Sequence, residues 1–158
     1  MAVATFEDGA ERPLSLGVTD ADDLRIVATL VQDAIFPVTE MKWQPALRRF
    51  SLLLNRFRWE DRADAERLNR PYERVQSLLL VSDVAKVASQ GIDRTDHETI
   101  LSLIDLVFLP GEDGTGRLEL VLAGDGAIAL DVESLNIWLR DVSRPYLAPS
   151  RRAPGHGD

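Results

Sequence analysis

The chain contains no cysteine, and its only histidines are His97 and His156. The first absence excludes a disulfide framework, a thiolate nucleophile and a cysteine-based zinc site. The second excludes a histidine-rich metal centre, so no cofactor is expected. No apolar run approaches the roughly 18 residues that span a bilayer. The segment MAVATFEDGAERPLSLG lacks the basic and long apolar regions of a secretory signal. A cytoplasmic protein without membrane contact is therefore expected. Lysine is scarce as well, two residues against sixteen arginines, so an arginine-rich segment here partly reflects composition. There is no G-x-S-x-G elbow, Walker A loop, G-x-G-x-x-G fingerprint or H-E-x-x-H helix. Gly111–Gly116 and Gly124–Gly126 read as turns.

What is present describes one globular domain. The 158 residues are 45% hydrophobic and 28% charged, with a net charge of −8, a balance that opposes non-specific attraction to polyanions. The charge is uneven. Between Glu40 and Arg74, nine basic residues (Lys42, Arg48, Arg49, Arg56, Arg58, Arg62, Arg67, Arg70 and Arg74) face six acidic ones. Such asymmetry marks either a polyanion-binding face or two surfaces that pair within the fold or across a dimer.

In chain order, residues 1–13 read as a flexible arm. Leu14, Leu16 and Val18 alternate as a short strand. Asp20 offers an N-cap, and Leu24, Val27, Ala28 and Val31 form one apolar stripe of a helix. Residues 34–60 then predict a β-hairpin around a turn at Gln44–Leu47, with Pro37 confined to an edge, a strand end or a bulge. Phe50, Leu52 and Leu54 share one face of its second strand. A β-bulge near Leu53–Asn55 is expected, since otherwise Arg56 and Arg58 would follow Leu54 into the core. Residues 61–70 read as a surface loop with room for one helical turn, and as a candidate for mobility. Residues 73–81 and 84–90 read as two strands, and Thr95-x-x-Glu98 as a capping box opening a helical turn. Ile100–Leu109 predicts a strand ended by Pro110. Asp125-Gly126 predicts a type I′ hairpin. Residues 133–142 fit strand or helix, with a strand through a bulge preferred, and 146–158 read as a disordered tail.

These elements predict an α+β fold: a strongly twisted antiparallel sheet or partly closed barrel of about seven strands, with one N-terminal helix packed on it, spanning residues 14–145. The candidate binding surface is the Arg/aromatic face of the 34–60 hairpin, carried by Trp43, Arg49, Asn55, Arg56, Arg58 and Trp59. Its composition suits a protein partner or self-association, and alternatively RNA or single-stranded DNA. An enzyme using carboxylates such as Asp93 and Asp105 is the third reading; it needs an apolar pocket holding a carboxylate of raised pKa.

Several runs resemble an uncharacterised bacterial family, domain of unknown function 2948, found mainly in alphaproteobacteria. They are Asp20, Asp23 and Leu24 with Gln32-Asp33-Ala34, then Arg49-Phe50, Asn55–Glu60, Gly91–Arg94 and Leu101–Pro110. Thr29 departs from the histidine usual there. The resemblance implies a single bacterial cytoplasmic domain, brings no activity, and singles out Asn55–Glu60 alongside Gln32-Asp33-Ala34.

Overall fold

The computed structural model describes residues 13–148 and 153–154. The expected arm at 1–12, and most of the tail beyond residue 148, lie outside the described residues.

Strand β1 (Ser15–Val18) leads into helix α1 (Ala21–Leu30). Asp20 caps the helix, its Oδ1 accepting from the Asp23 backbone N–H at 2.8 Å. Asp22 and Asp23 then sit where the helix dipole favours negative charge. Leu24, Val27 and Ala28 point inward, as their spacing predicts.

The next segment alternates short strands and single 3-10 turns. Strand β2 (Ala34–Pro37) ends at the proline, a turn covers Val38–Glu40, and β3 (Met41–Gln44) follows. A second turn at Pro45–Leu47 reverses the chain into β4 (Arg49–Phe57). The helical turn allowed within 61–70 forms: a 3-10 turn, Trp59–Asp61, runs into the short helix α2 (Arg62–Arg67), and Asp61 and Ala65 are buried rather than on the surface.

Strands β5 (Glu73–Val81) and β6 (Val84–Gln90) match the expected pair. Their sharp corner places Asp83 at a φ of 58°. No helical turn starts at Thr95. Asp93 takes the Thr95 hydroxyl and backbone N–H, and Asp96 accepts from the Glu98 N–H at 3.1 Å. These aspartate turns win over the capping box because each supplies a closer acceptor to the same N–H groups.

Strand β7 (Ile100–Pro110) stops at its proline and turns back as β8 (Gly116–Leu122). The turn into β9 (Ala127–Val132) is a tight reversal as expected, but its positive φ values fall one residue earlier than the Asp125-Gly126 pair, at Gly124 and Asp125, 79° and 66°. Of the two states open to 133–142, the strand forms, as β10 (Ile137–Asp141). Strand β11 (Tyr146–Leu147) pairs with Glu73–Arg74 and carries the sheet past the expected boundary at residue 145.

The eleven strands form one antiparallel sheet in the order β1-β10-β5-β4-β2-β7-β8-β9-β6, with β3 beside β4 and β11 beside β5. The fold is thus mostly antiparallel sheet with few helices, and the sheet is larger than the expected seven strands and not closed. The count rises because Pro37 and the turn after it split the first arm of the hairpin, and because Tyr146–Leu147 adds a strand at the far end. The sheet has one core. Phe36, Phe50, Leu52, Leu54, Leu79, Leu103, Leu118, Leu130 and Leu139 meet the α1 stripe there, all at 3% exposure or less.

Gly17 is required by a close approach rather than by its φ. A Cβ there would lie 2.7 Å from Cζ3 of Trp138, whose Nε1 donates to Ser15 Oγ at 3.0 Å. Gly17→Ala is expected to cost about 1 kcal/mol by forcing the ring aside. Denaturant unfolding and a displaced Trp138 indole N–H signal would check it.

Candidate functional site

The bulge expected near Leu53–Asn55 is absent. β4 and β5 pair without a break from Phe50↔Val81 to Phe57↔Arg74. Strict alternation therefore carries Arg56 inward behind Leu52 and Leu54, and its side chain is 0% exposed. The expectation failed because it treated the arginine as incompatible with the interior. Carboxylates meet it there.

Arg56 Nη1 and Nη2 each donate to one oxygen of Glu60 at 2.8 Å. Nη2 also reaches both oxygens of Asp141, at 3.0 and 3.1 Å, and Nε donates to Ser77 Oγ at 3.0 Å. Ser77 Oγ donates in turn to Asp141 Oδ1 at 2.6 Å, while the Leu14 backbone N–H donates to Asp141 Oδ2 at 2.9 Å. One guanidinium and one carboxylate thus tie together β4, β5, β10 and the approach to β1. Burial pulls the Arg56 pKa down, and the hydrogen bonds and charges of Glu60 and Asp141 more than offset this, leaving it raised.

A second group continues outward. Arg58, 5% exposed, donates to Glu73 at 2.7 Å and lies 4.0 Å from Asp61. Arg70 grips both Asp61 oxygens, at 2.6 and 2.7 Å. The Arg70 hydrogen bonds hold Asp61 below its ordinary pKa against the effect of burial, whereas burial pushes Glu73 up despite Arg58. Glu60, 3.9 Å from Arg58 Nε, joins the two groups. Among the described residues the network therefore holds Arg56, Arg58 and Arg70 against Glu60, Asp61, Glu73 and Asp141.

The other expected site residues scatter. Asn55 accepts from Arg74 Nε at 2.6 Å; burial lowers the Arg74 pKa, partly offset by Tyr146 and Asp33. Trp59 packs edge-on to Phe57 at 4.7 Å and donates from Nε1 to the Gln32 carbonyl at 3.0 Å. Arg49 is exposed at the start of β4. Trp43 lies elsewhere, lining an open cleft of about 570 Å³ between β3 and β6. The expected continuous Arg/aromatic face does not form. Arg56 and Arg58 are buried and paired with internal carboxylates.

Asp93 and Asp105 are not brought together as an acid–base pair. The Thr95 hydroxyl and N–H hold Asp93 below its ordinary pKa, the opposite of what that reading needs. Asp105 pairs with Arg25 at 3.2 Å and accepts from its neighbour's N–H, that of Leu106, at 2.8 Å. No group of three or more His, Asp and Glu side chains able to hold a metal ion occurs among the described residues. No described helix is long and apolar enough to cross a membrane.

Glu60, four positions beyond Arg56, supplies half of the buried pairing, but Arg56 lies on a strand, where that spacing is no pairing signal. Asp141, 85 positions from Arg56, gave no local signal at all.

A family model described as protein of unknown function (DUF2948) matches residues 14–156. The chain belongs to this family. No curated protein and no solved structure matches it. In this DUF2948 chain two runs, Gln32-Asp33-Ala34 and Asn55–Glu60, meet through the Trp59–Gln32 hydrogen bond. In the DUF2948 fold seen here, the second of those runs supplies the buried cation and one of its counter-ions.

Proposed function

We propose that the protein is a non-enzymatic assembly module that associates with a second copy through the outer face of β10-β5-β4-β2. The observation that carries this is what the outer face displays once Arg56 has turned inward. Leu53 lies opposite Leu78, Leu80 lies opposite Trp138, and Ile35 lies opposite Asn55 beside them. Trp138 and Ile35 are 47% and 38% exposed, and the three leucines are half-buried. Arg140, Gln76 and Asn55 form a polar surround in the same ladders. A contiguous apolar patch with a polar surround marks an interaction surface. A short diagonal of leucines on a sheet suits two-fold pairing, in which the same residues of each copy cover those of the other.

Sedimentation across a concentration series should show a dimer that dissociates on dilution. Leu78→Glu places a charge at the centre of the patch and should weaken association by about a hundredfold, the cost of a buried, unpaired carboxylate. Its circular dichroism should be unchanged. A protein that stays monomeric at its highest soluble concentration would sink the reading.

A further inference from the structure

We infer that the cleft between β3 and β6 is a binding site for a small organic carboxylate with an apolar body. Within the sheet β3 pairs only with β4, and β6 only with β9, so each leaves one edge unpaired among the described strands. The two strands meet at one end, where the Val84 N–H donates to the Arg48 carbonyl at 2.9 Å. Beyond that bond the sheet does not close, and the space between the strands is the cleft of about 570 Å³. That volume lies within the roughly 300–1,000 Å³ of small-molecule sites.

Its floor is apolar. Inward-facing Met41 and Trp43 come from β3, Phe50 from β4, Val87 from β6 and Ile128 from β9. The 91–99 loop contributes the basic side chains, Arg94 and His97, while Thr39 and Ser89 add one hydroxyl each from the turn after β2 and from β6. No carboxylate is among the lining residues. Of the three acids of that same loop, Asp93 accepts from the Thr95 N–H and Asp96 from the Glu98 N–H, and the exposed Glu98 is not among the residues that line the cleft. Arg94 makes no ion pair or hydrogen bond with any described residue, whereas Arg25, Arg48, Arg56, Arg62, Arg67, Arg70 and Arg117 each pair with a carboxylate. The loop is tied to the cleft wall, since the Val38 N–H donates to the Thr99 carbonyl at 2.9 Å. An apolar pocket with one unpaired guanidinium at its mouth selects a molecule with an anionic head and an apolar body. Arginine suits a carboxylate, because its fork donates to both oxygens.

The three tryptophans allow a direct test, since Trp43 lies in the cleft, Trp138 on the outer face and Trp59 in the ion network. Titrating the full chain with decanoate, and separately with decylamine, while following the three indole N–H resonances distinguishes the sites. Decanoate should move the Trp43 signal saturably at one equivalent and leave Trp59 in place; decylamine should not bind. Arg94→Glu should weaken decanoate binding about tenfold or more, the worth of one charged hydrogen bond. Ser89→Trp, which fills the cleft from β6, should abolish it. Absence of saturable binding, equal binding of decylamine, or binding that survives Ser89→Trp would each overturn the inference. A shift confined to Trp138 would also overturn it, placing the ligand on the association face. Failure here leaves the dimer experiment untouched, because the Leu78→Glu variant keeps the cleft intact.

Discussion

Replacing Arg56 with alanine should destabilise the protein by about 3–5 kcal/mol, the range for removing one partner of a buried ion pair. That is a large fraction of the stability of an ordinary domain. The physical cost lies in what remains. Asp141, with its side chain 5% exposed, would keep a charge without its cation, while Glu60, 31% exposed, can turn toward water. Arg56→Lys should recover little, because an ammonium cannot reach Glu60, Asp141 and Ser77 as the planar fork does. The double variant Arg56→Met with Asp141→Leu should recover part of the loss, since removing both charges removes the desolvation cost. Recovery would remain incomplete, as the Leu14 N–H and Ser77 hydroxyl still lose their acceptor. Urea unfolding of the four proteins checks the series. If Arg56→Ala melts with the parent, the buried network is not what holds β4, β5 and β10 together.

Arg58→Met should cost about 3 kcal/mol near neutral pH, at the low end of the same range because Glu73 is partly exposed. Its signature is the dependence on pH. Burial already raises the Glu73 carboxyl above its ordinary 4.5, and Arg58 opposes that rise. Without Arg58 the carboxyl rises further. A group with a raised folded pKa gains stability as pH falls through that value toward the unfolded one. The deficit of Arg58→Met should therefore shrink on mild acidification. In the parent protein Asp61 acts with the opposite sign. Its pKa is held below 3.8, chiefly by Arg70, so its contribution is complete above that value and fades as pH falls below it. Parent stability should gain slightly as pH falls toward 4.5 and decline below 3.8. Melting temperatures across this range would test both signs, and a variant deficit that widens with acid would contradict the assignment of Glu73.

Much of the strand pattern was readable because it depends on neighbours in sequence. Pro110 ended β7, Gly124 and Asp125 supplied the positive φ of a tight reversal, and Ser82-Asp83 separated β5 from β6. The Asp20 cap and the Leu24, Val27, Ala28 stripe gave α1. The errors arose where distant residues decide. Alternation through Leu52, Leu54 and Arg56 was plain in the sequence, yet a bulge was invoked to keep the arginine out. Only the fold shows that Asp141 arrives from β10 to receive it. The same inversion changed the candidate site: the guanidinium groups expected outside are inside, and Leu53 and Leu78 take the outer face. The cleft was illegible for a similar reason, since it is a gap between strands that lie 40 positions apart in the chain, β3 ending at Gln44 and β6 starting at Val84.

The Asp141 partnership also sets an order on biosynthesis. The ribosome releases Arg56 long before Asp141, together with the β4 and β5 segments that will enclose it. Until β10 emerges, closing those strands would bury a guanidinium with Ser77 and a single counter-charge, Glu60, beside it. The interval spans 85 residues of synthesis, and throughout it the N-terminal half has reason to remain loosely assembled. The last long strand is then both the neighbour that β1 needs and the counter-charge that lets the core close. A chain stalled before residue 141 should be a client for chaperones rather than a partly finished domain.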